Sequence, residues 1–320
     1  MTPPTAPEDG ESRSVQVPED AAGRRLDVFL ASWLGASRSQ ARRLLARGGV
    51  RLDGRVLGAA DKGAFLAAGQ RLEARGFRRP EEEWIRPQPD SEPFALPVLV
   101  RGEGFWVVDK PAGRPVHPLE PDETGSVLNV VVGWSPELRG VGEGGLRSGV
   151  VHRLDVETSG ALCVATREAQ WQALRAAFRE RRVTKRYRAL VAGVPDAGLL
   201  GRHEVAIRVA RHRPARVRVA PADALAAHPG ARLAALEIES IERFPDAAEL
   251  VVRLETGFLH QIRATLAGLG HPVLGDSAYG GARPGVPRPM LHAALLAWNG
   301  HRAEAPPPDD YLAVRRRLAG

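Results

Sequence analysis

The densest set of chemically useful side chains lies in His152-Arg153-Leu154-Asp155-Val156-Glu157-Thr158-Ser159-Gly160, which runs directly into the apolar segment 161–165. A carboxylate on a loop at a strand edge is well placed to face a pocket. Taken alone, the same stretch reads as a turn, because aspartate beside Ser, Thr and Gly commonly forms one. His152, Asp155 and Ser159 also suggest a hydrolase triad. Triad members normally come from separate segments, however, and no G-x-S-x-G elbow occurs; Gly275-Asp276-Ser277-Ala278-Tyr279 is only a near miss. Neither a G-x-x-x-x-G-K-[ST] loop nor a G-x-G-x-x-G turn after a strand is present, which argues against a nucleotide-dependent enzyme. With one cysteine, Cys163, and nine histidines lacking ligand spacing, the chain is expected to carry no disulfide and no metal.

Local signals place the elements around this stretch. Leu26, Phe29, Leu30, Trp33 and Leu34 form one helical face that Gly35 ends. Ser37 with Gln40 has capping-box spacing for a second helix, stopped by Gly48 and Gly49. Val50 to Leu52 and Arg55 to Leu57 flank Asp53-Gly54, a favoured pair for a tight hairpin. Strand-like runs follow at 105–108, 161–165, 187–191, 233–238 and 249–254, with few clear helices, which predicts an α/β or α+β domain on a largely antiparallel sheet. Leu259, Ile262, Leu266 and Leu269 make a helical stripe ending at Gly270, with Arg263 at its edge, where its stem can be buried and its head can face a pocket.

Charge is unevenly placed. The chain carries +7 overall, yet residues 24–79 hold 13 Lys/Arg against 4 Asp/Glu, so the remainder is slightly acidic. A compact basic module beside a near-neutral body is the footprint of a nucleic-acid-binding appendage, because cationic side chains displace counterions from phosphates. Arg38, Arg42, Arg43 and Arg47 are the candidates for its cationic face. Only three of the 45 basic residues are lysine: Lys62, Lys110 and Lys185. The first twenty residues lack the composition of a secretory signal, and no apolar stretch is long enough to span a membrane, so a cytoplasmic protein is expected. Nothing calls for an obligate dimer, and a monomer is expected.

The helix pair and hairpin at roughly residues 23–75 resemble the RNA-binding module named after small-subunit ribosomal protein S-four. His152 to Gly160 satisfies every specified position of H-R-L-D-x-x-T-S-G, the hallmark of the RluA-type pseudouridine synthases, those of the large-subunit ribosomal RNA type. Other elements of that family occur in its order: the early Lys110-Pro111-Ala112-Gly113, then Lys185-Arg186-Tyr187, the block from Thr256 through His260-Gln261-Ile262-Arg263 to Gly280, and Leu291-His292-Ala293. The resemblance covers about residues 98–300. It implies an α+β pseudouridine synthase catalytic fold with a mostly antiparallel mixed sheet, plus a small N-terminal α/β RNA-binding module, and a reaction needing no cofactor.

By the same resemblance Asp155 is the catalytic carboxylate, adding either to carbon 6 of the uracil ring or at the ribose. Arg263 is the cation that keeps it anionic, and Tyr187 stacks on the flipped target base. Arg153 joins the RNA-binding set, while Lys110, Lys185, His260 and Gln261 support the motifs, the lysines through packing or backbone contacts. The partner is RNA, with ribosomal RNA favoured over transfer RNA; a non-catalytic RNA-binding or ribosome-assembly factor on the same fold is the alternative. Phe258 stands where the family carries arginine, which removes an RNA-contacting guanidinium, and Ser148 and Val156-Glu157 depart at variable positions. The expected organisation is a disordered segment 1–20, an RNA-binding module 21–76, a linker 77–97, a catalytic domain 98–310 and a tail 311–320.

Overall fold

A computed structural model describes residues 11–78, 83–88, 95–212 and 214–320. The chain divides into two compact units, one running up to Trp84 and joined by Glu143–Leu146, the other made of Ile85–Gly142 and Arg147–Gly320.

In the first unit, β1 (Glu11–Gln16) precedes α1 (Leu26–Leu34) and α2 (Arg38–Ala46), followed by β2 (Val50–Leu52), β3 (Arg55–Leu57) and β4 (Arg71–Phe77). The local signals operate as expected. Gly35 closes α1 in a left-handed conformation, Ser37 and Gln40 form the reciprocal cap of α2, and Asp53 and Gly54 both take positive φ in the hairpin turn. Leu26, Leu30, Leu45, Val50 and Leu72 fill the core between the helices and a sheet ordered β1-β4-β2-β3.

Two expected boundaries are corrected in the described residues. Residues 11–16 are not disordered: they pair antiparallel with β4, because an edge strand needs only main-chain partners on one side and tolerates a polar sequence. Val17 and Ala21, 2% exposed each, enter the core behind it. Residues 1–10 of that segment lie outside the described residues, as do 79–82 and 89–94 of the linker. The rest of the linker is partly anchored: Phe77 completes β4, Ile85 and Leu96 are buried, and Gln88 donates its backbone N–H to Asn129 O.

The second unit is organised by a ten-stranded sheet. In chain order it contains β5 (Val98–Gly102), β6 (Phe105–Lys110), α3 (Val127–Trp134), β7 (Ser159–Ala165), α4 (Glu168–Arg179), β8 (Thr184–Ala192), β9 (Gly201–His212), β10 (Ala215–Pro221), β11 (Arg232–Arg243), β12 (Ala247–Leu254), α5 (Gln261–Gly268), β13 (Leu291–Trp298), β14 (His301–Glu304) and α6 (Asp309–Ala319). The strand order is β10-β9-β11-β12-β8-β13-β7-β6-β5, with β14 paired to β13. All pairs are antiparallel except β13 with β7, which run parallel through His292–Ser159 and Ala293–Gly160. This is the expected α+β arrangement with a mostly antiparallel mixed sheet.

Every residue of β7 is buried, as a central strand covered on both faces requires. Gly160 shows how closely it is packed: its φ is +114°, and a Cβ there would lie 2.2 Å from Ala293 O. The hallmark therefore needs glycine at its end so that β13 can approach.

The terminal residues 311–320 are a helix docked on the sheet rather than a tail. Tyr311, Val314 and Leu318 point into a core with Leu190, Phe244 and Met290. Buried Glu249 of β12 accepts from Tyr311 Oη at 2.8 Å, Arg315 Nε at 2.8 Å and Arg188 at 2.7 Å, so α6 is held by charge-assisted bonds as well as apolar burial. The 3, 7 spacing of its apolar residues is a helical stripe inside an arginine-rich sequence.

Candidate active site

Asp155 sits on the loop before β7, its side chain 23% exposed, at the wall of a cleft of about 1190 Å³. Such a cleft exceeds the roughly 300–1,000 Å³ of ordinary small-ligand pockets. Basic side chains rim it, with Arg153, Arg175, Arg179, Arg181 and Arg232 set against the acids Asp155 and Glu255, so the cleft favours a polyanion. The arginines of α4 contribute strongly to this rim, and nothing in the motifs pointed to them.

The loop carrying Asp155 is held from several directions. His152 Nε2 accepts the Cys163 N–H at 2.9 Å, and the ring stacks on Phe178. Burial drives its pKa down to about 3, so it stays neutral and can keep accepting. Thr158 N–H donates to Asp155 O at 3.1 Å. Ser159 Oγ meets His292 Nδ1 at 3.0 Å, while His292 Nε2 contacts Ala305 O at 3.0 Å. Buried Arg288 donates to Glu157 O and grips Asp310 through two nitrogens, tying the loop to α6.

Lys110 is fully buried, and its Nζ donates to Pro111 O, Arg114 O and Val156 O at 2.8–2.9 Å. Three carbonyls use the three N–H groups of an ammonium, a geometry that a planar guanidinium does not match. Burial pulls its pKa down to about 7. Lys110 thus clamps the loop after β6 to the loop of Asp155, and touches the backbone rather than the cleft. Lys185 lies at the cleft wall and donates to Thr256 O at 3.3 Å; its pKa falls to about 8, through burial and then Arg181.

Arg263 comes from the first turn of α5. It is 8% exposed and lies between two carboxylates: Nη1 donates to Asp155 Oδ2 at 3.0 Å, while Nε and Nη2 donate to Asp276 at 2.6 and 2.9 Å. Burial opposes its charge, but the bonds to Asp276 and the fields of Asp276 and Asp155 outweigh that and raise its pKa above the ordinary value. The apolar stripe expected at this helix is corrected at Leu259. His260 adopts a left-handed conformation (φ 51°), which stops the helix from extending backwards and leaves Leu259 39% exposed on the cleft.

Gln261 braces the approach to α5. Its Oε1 accepts from Thr256 Oγ1 and from Phe258 N–H, and its Nε2 donates to Ala235 O. Phe258, in place of an arginine, packs with Ile207, Val217, Ala234 and Ala264. This part of the wall is therefore apolar.

Tyr187 is 7% exposed on β8 and lines the cleft. Burial, then the negative charge of Asp155, raises its pKa, so it is an un-ionised phenol at neutral pH. Two further residues were not singled out as site residues from the sequence. Asp276 is held at the end of a turn in which Gly275, with φ +83°, brings Arg288 O within 1.9 Å of where a Cβ would lie. Tyr279 Oη lies 3.0 Å from His260 Nδ1 and accepts the Val217 N–H, and its ring sits 5.3 Å from the Arg263 guanidinium. Both lie within the matched block ending at Gly280; only the missing partner assignments hid them.

The RNA-binding candidates of the first unit are differently placed. Asp27 is fully buried and receives Arg25, Arg38 and Arg42, the last at 2.6 Å. Burial would raise its pKa, but the bonds from the three arginines reverse that and hold it far below the usual carboxylate range. Arg38 and Arg42 are nevertheless 53% and 42% exposed. Arg43 pairs with Glu83 at 2.5 Å and is largely covered. Arg38 and Arg42 are therefore internal anchors as well as surface cations, whereas Arg43 is mainly an anchor; Arg47 follows directly after α2 at the surface.

Residues 104–268 match the RNA pseudouridylate synthase family, and residues 24–62 match the S4 domain. An uncharacterized RNA pseudouridine synthase of Mycobacterium bovis is 35% identical, over 96% of this chain and 98% of its own length. Ribosomal large subunit pseudouridine synthase D of Pseudomonas aeruginosa is 32% identical, over 94% of this chain and 93% of its own. Among solved structures, human RNA pseudouridylate synthase domain containing 4 shares the fold, with TM-score 0.57 at 22% identity, covering 69% of this chain and 92% of that one. Human RNA pseudouridylate synthase domain containing 1 gives TM-score 0.50 at 27% identity, over 70% and 86%. Full-length similarity on this scale, together with both domain matches, makes the chain a member of the RNA pseudouridylate synthase family, an isomerase acting on RNA that carries an S4 domain.

Proposed function

We propose that the chain isomerises uridine in large-subunit ribosomal RNA in the cytoplasm, with Asp155 as the carboxylate that captures or stabilises the detached intermediate. Conversion of uridine to pseudouridine breaks the bond from ribose to ring nitrogen, remakes it to carbon 5, and expels the hydrogen that carbon 5 carried. The reading rests above all on one observation: Asp155 reaches a basic cleft while its Oδ2 is held by Arg263 at 3.0 Å. A carboxylate so paired is held in one orientation at the cleft wall, as a reacting group must be.

The other residues follow from that placement. Arg263 holds the anion, and Tyr187 offers a buried aromatic wall against which an unstacked base can rest. Arg153 and the α4 arginines attract the backbone around the target, while the S4 domain supplies a second, sequence-tolerant grip on phosphates. Preference for ribosomal RNA follows the Pseudomonas aeruginosa and Vibrio parahaemolyticus relatives, each a ribosomal large subunit pseudouridine synthase D.

The test is tritium release from RNA transcribed with uridine tritiated at carbon 5. Native protein should release tritium from unmodified large-subunit ribosomal RNA, and Asp155→Asn should bind it without release. Release from transfer RNA alone would move the substrate assignment, and equal release by Asp155→Asn would remove the carboxylate from the chemistry.

A further inference from the structure

His260 has no task in the reaction as described, yet it occupies the cleft in a left-handed backbone conformation that few residues other than glycine adopt. Its imidazole is edge-on to Tyr279, with ring centroids 5.7 Å apart and planes at 88°. Tyr279 Oη accepts the Val217 N–H from β10 at 2.9 Å and lies 3.0 Å from His260 Nδ1. A phenol has one proton to give. With a main-chain donor already aimed at the oxygen, the hydroxyl proton is free to go to Nδ1; in that arrangement Nδ1 accepts and the proton of neutral imidazole sits on Nε2.

The other side of the ring faces the reacting carboxylate. His260 Nε2 is 4.0 Å from Asp155 Oδ2, the same oxygen that Arg263 Nη1 contacts at 3.0 Å. Oδ1 of Asp155 receives no hydrogen bond among the described residues. The two carboxylate oxygens are therefore unequal: Oδ2 has a formed bond from Arg263 and the His260 ring nitrogen 4.0 Å away, and Oδ1 has only the cleft. Burial, reinforced by Arg263 against the opposing pull of Asp155, lowers the His260 pKa and keeps the ring neutral.

We propose that Tyr279 and His260 form a positioning pair: Tyr279 fixes His260 as the Nε2–H tautomer, which with Arg263 occupies Asp155 Oδ2 and reserves Oδ1 as the oxygen that reacts. This rests on the reading of Asp155 as the reacting carboxylate. The 4.0 Å separation is longer than a formed hydrogen bond, and contacts of this kind shorten when substrate closes the site. Tyr279 acts through His260 and touches no reacting atom. Its ring beneath Arg263 also couples the two donors, so both approach Oδ2 from one rigid wall.

The experiment measures kcat, KM and RNA affinity of the full-length protein by tritium release and filter binding on large-subunit ribosomal RNA tritiated at carbon 5. Tyr279→Phe removes one oxygen and keeps the ring. It should lower kcat by roughly ten-fold, the effect of one lost hydrogen bond, with KM and affinity unchanged. His260→Gln places an amide N–H near the former Nε2 without needing Tyr279, and should exceed His260→Ala in kcat; both share the backbone strain at this position, so their difference belongs to the side chain. In the His260→Gln background, Tyr279→Phe should have little further effect. The pairing is overturned by normal kcat in Tyr279→Phe, or by the same loss in both backgrounds. Absence of release by the native protein, or full release by Asp155→Asn, would instead overturn the underlying reading of Asp155, and the pairing with it.

Discussion

Asp276 grips the far edge of Arg263 with both carboxylate oxygens, at 2.6 and 2.9 Å, and so turns Nη1 of that guanidinium toward Asp155. Asp276 is 1% exposed and never reaches the substrate side. Its effect is geometric: a bidentate pair fixes the plane of the arginine, and the third nitrogen then has one direction left.

Asp276→Asn is the direct test of that relationship. The amide retains one acceptor and loses the second, so Arg263 can swing away from Asp155. Displacement of a catalytic contact by about 1 Å costs roughly 100-fold in rate. The expected outcome is a fall in kcat of that order with RNA affinity preserved, read by tritium release beside filter binding. Equal losses in kcat and affinity would mean that Asp276 supports the cleft as a whole. Arg263→Lys should behave like Asp276→Asn, since an ammonium lacks the planar fork that engages Asp276 with two nitrogens while a third meets Asp155.

Tyr187→Phe separates two roles of a buried ring. The aromatic face survives the substitution and the hydroxyl does not. Because the phenol is un-ionised at neutral pH, it is available as a hydrogen-bond donor beside Asp155 and not as a ready base. RNA binding should be retained while turnover slows by roughly ten-fold, the scale of one lost hydrogen bond. Unchanged turnover would leave Tyr187 with a packing role alone.

How much of this was legible in the sequence depends on the range of the signal. Gly35, Ser37 with Gln40, and Asp53-Gly54 set α1, α2 and the β2–β3 turn through contacts within a few residues, and those elements appear where the sequence places them. Strand β1 was not legible, since its polar residues acquire meaning only from β4. Helix α6 was misread because its arginines look like a solvated end, whereas Arg315 pairs with Glu249, three strands earlier in the chain. At the site, the pairing of Asp155 with Arg263 was expected, but Asp276 and Tyr279 were not. Their relation to Arg263 and His260 is a matter of orientation, which motif spacing does not carry. Leu259 left its expected stripe because one left-handed residue, His260, intervenes.

Arg38 tests the balance between anchoring and RNA contact in the S4 domain. Its guanidinium shares buried Asp27 with Arg25 and Arg42, yet half of it is exposed. If it meets a phosphate, Arg38→Ala should reduce the slope of log affinity against log salt by about 0.7 to 0.9, the value of one released counterion. A lowered Tm with an unchanged slope would assign Arg38 to Asp27 alone. Arg42→Ala should cost more stability, because its contacts to Asp27 are the shorter ones, at 2.6 and 2.9 Å.

Acid sensitivity provides a test of the scaffold that is independent of activity. His292 is fully buried, and burial lowers its pKa to about 4, against the partial opposition of Ala305 O; Arg288 lowers it further. Between the ordinary histidine value near 6.5 and about 4, the unfolded chain binds a proton that the folded chain refuses. Stability from this group is therefore fully present above about 6.5 and declines as pH falls, by up to about 1.4 kcal/mol per pH unit, until the folded state also protonates near 4. His152, with its pKa near 3, adds to the slope in the same direction. Tm measured from pH 7 to pH 4.5 should drop progressively, and His292→Gln should flatten the curve even though its absolute Tm is lower. A slope identical to that of the native protein would show that His292 takes up its proton in the folded state as readily as in the unfolded one, and the Ser159–His292–Ala305 bridge between β7 and β13 would then need a different protonation state.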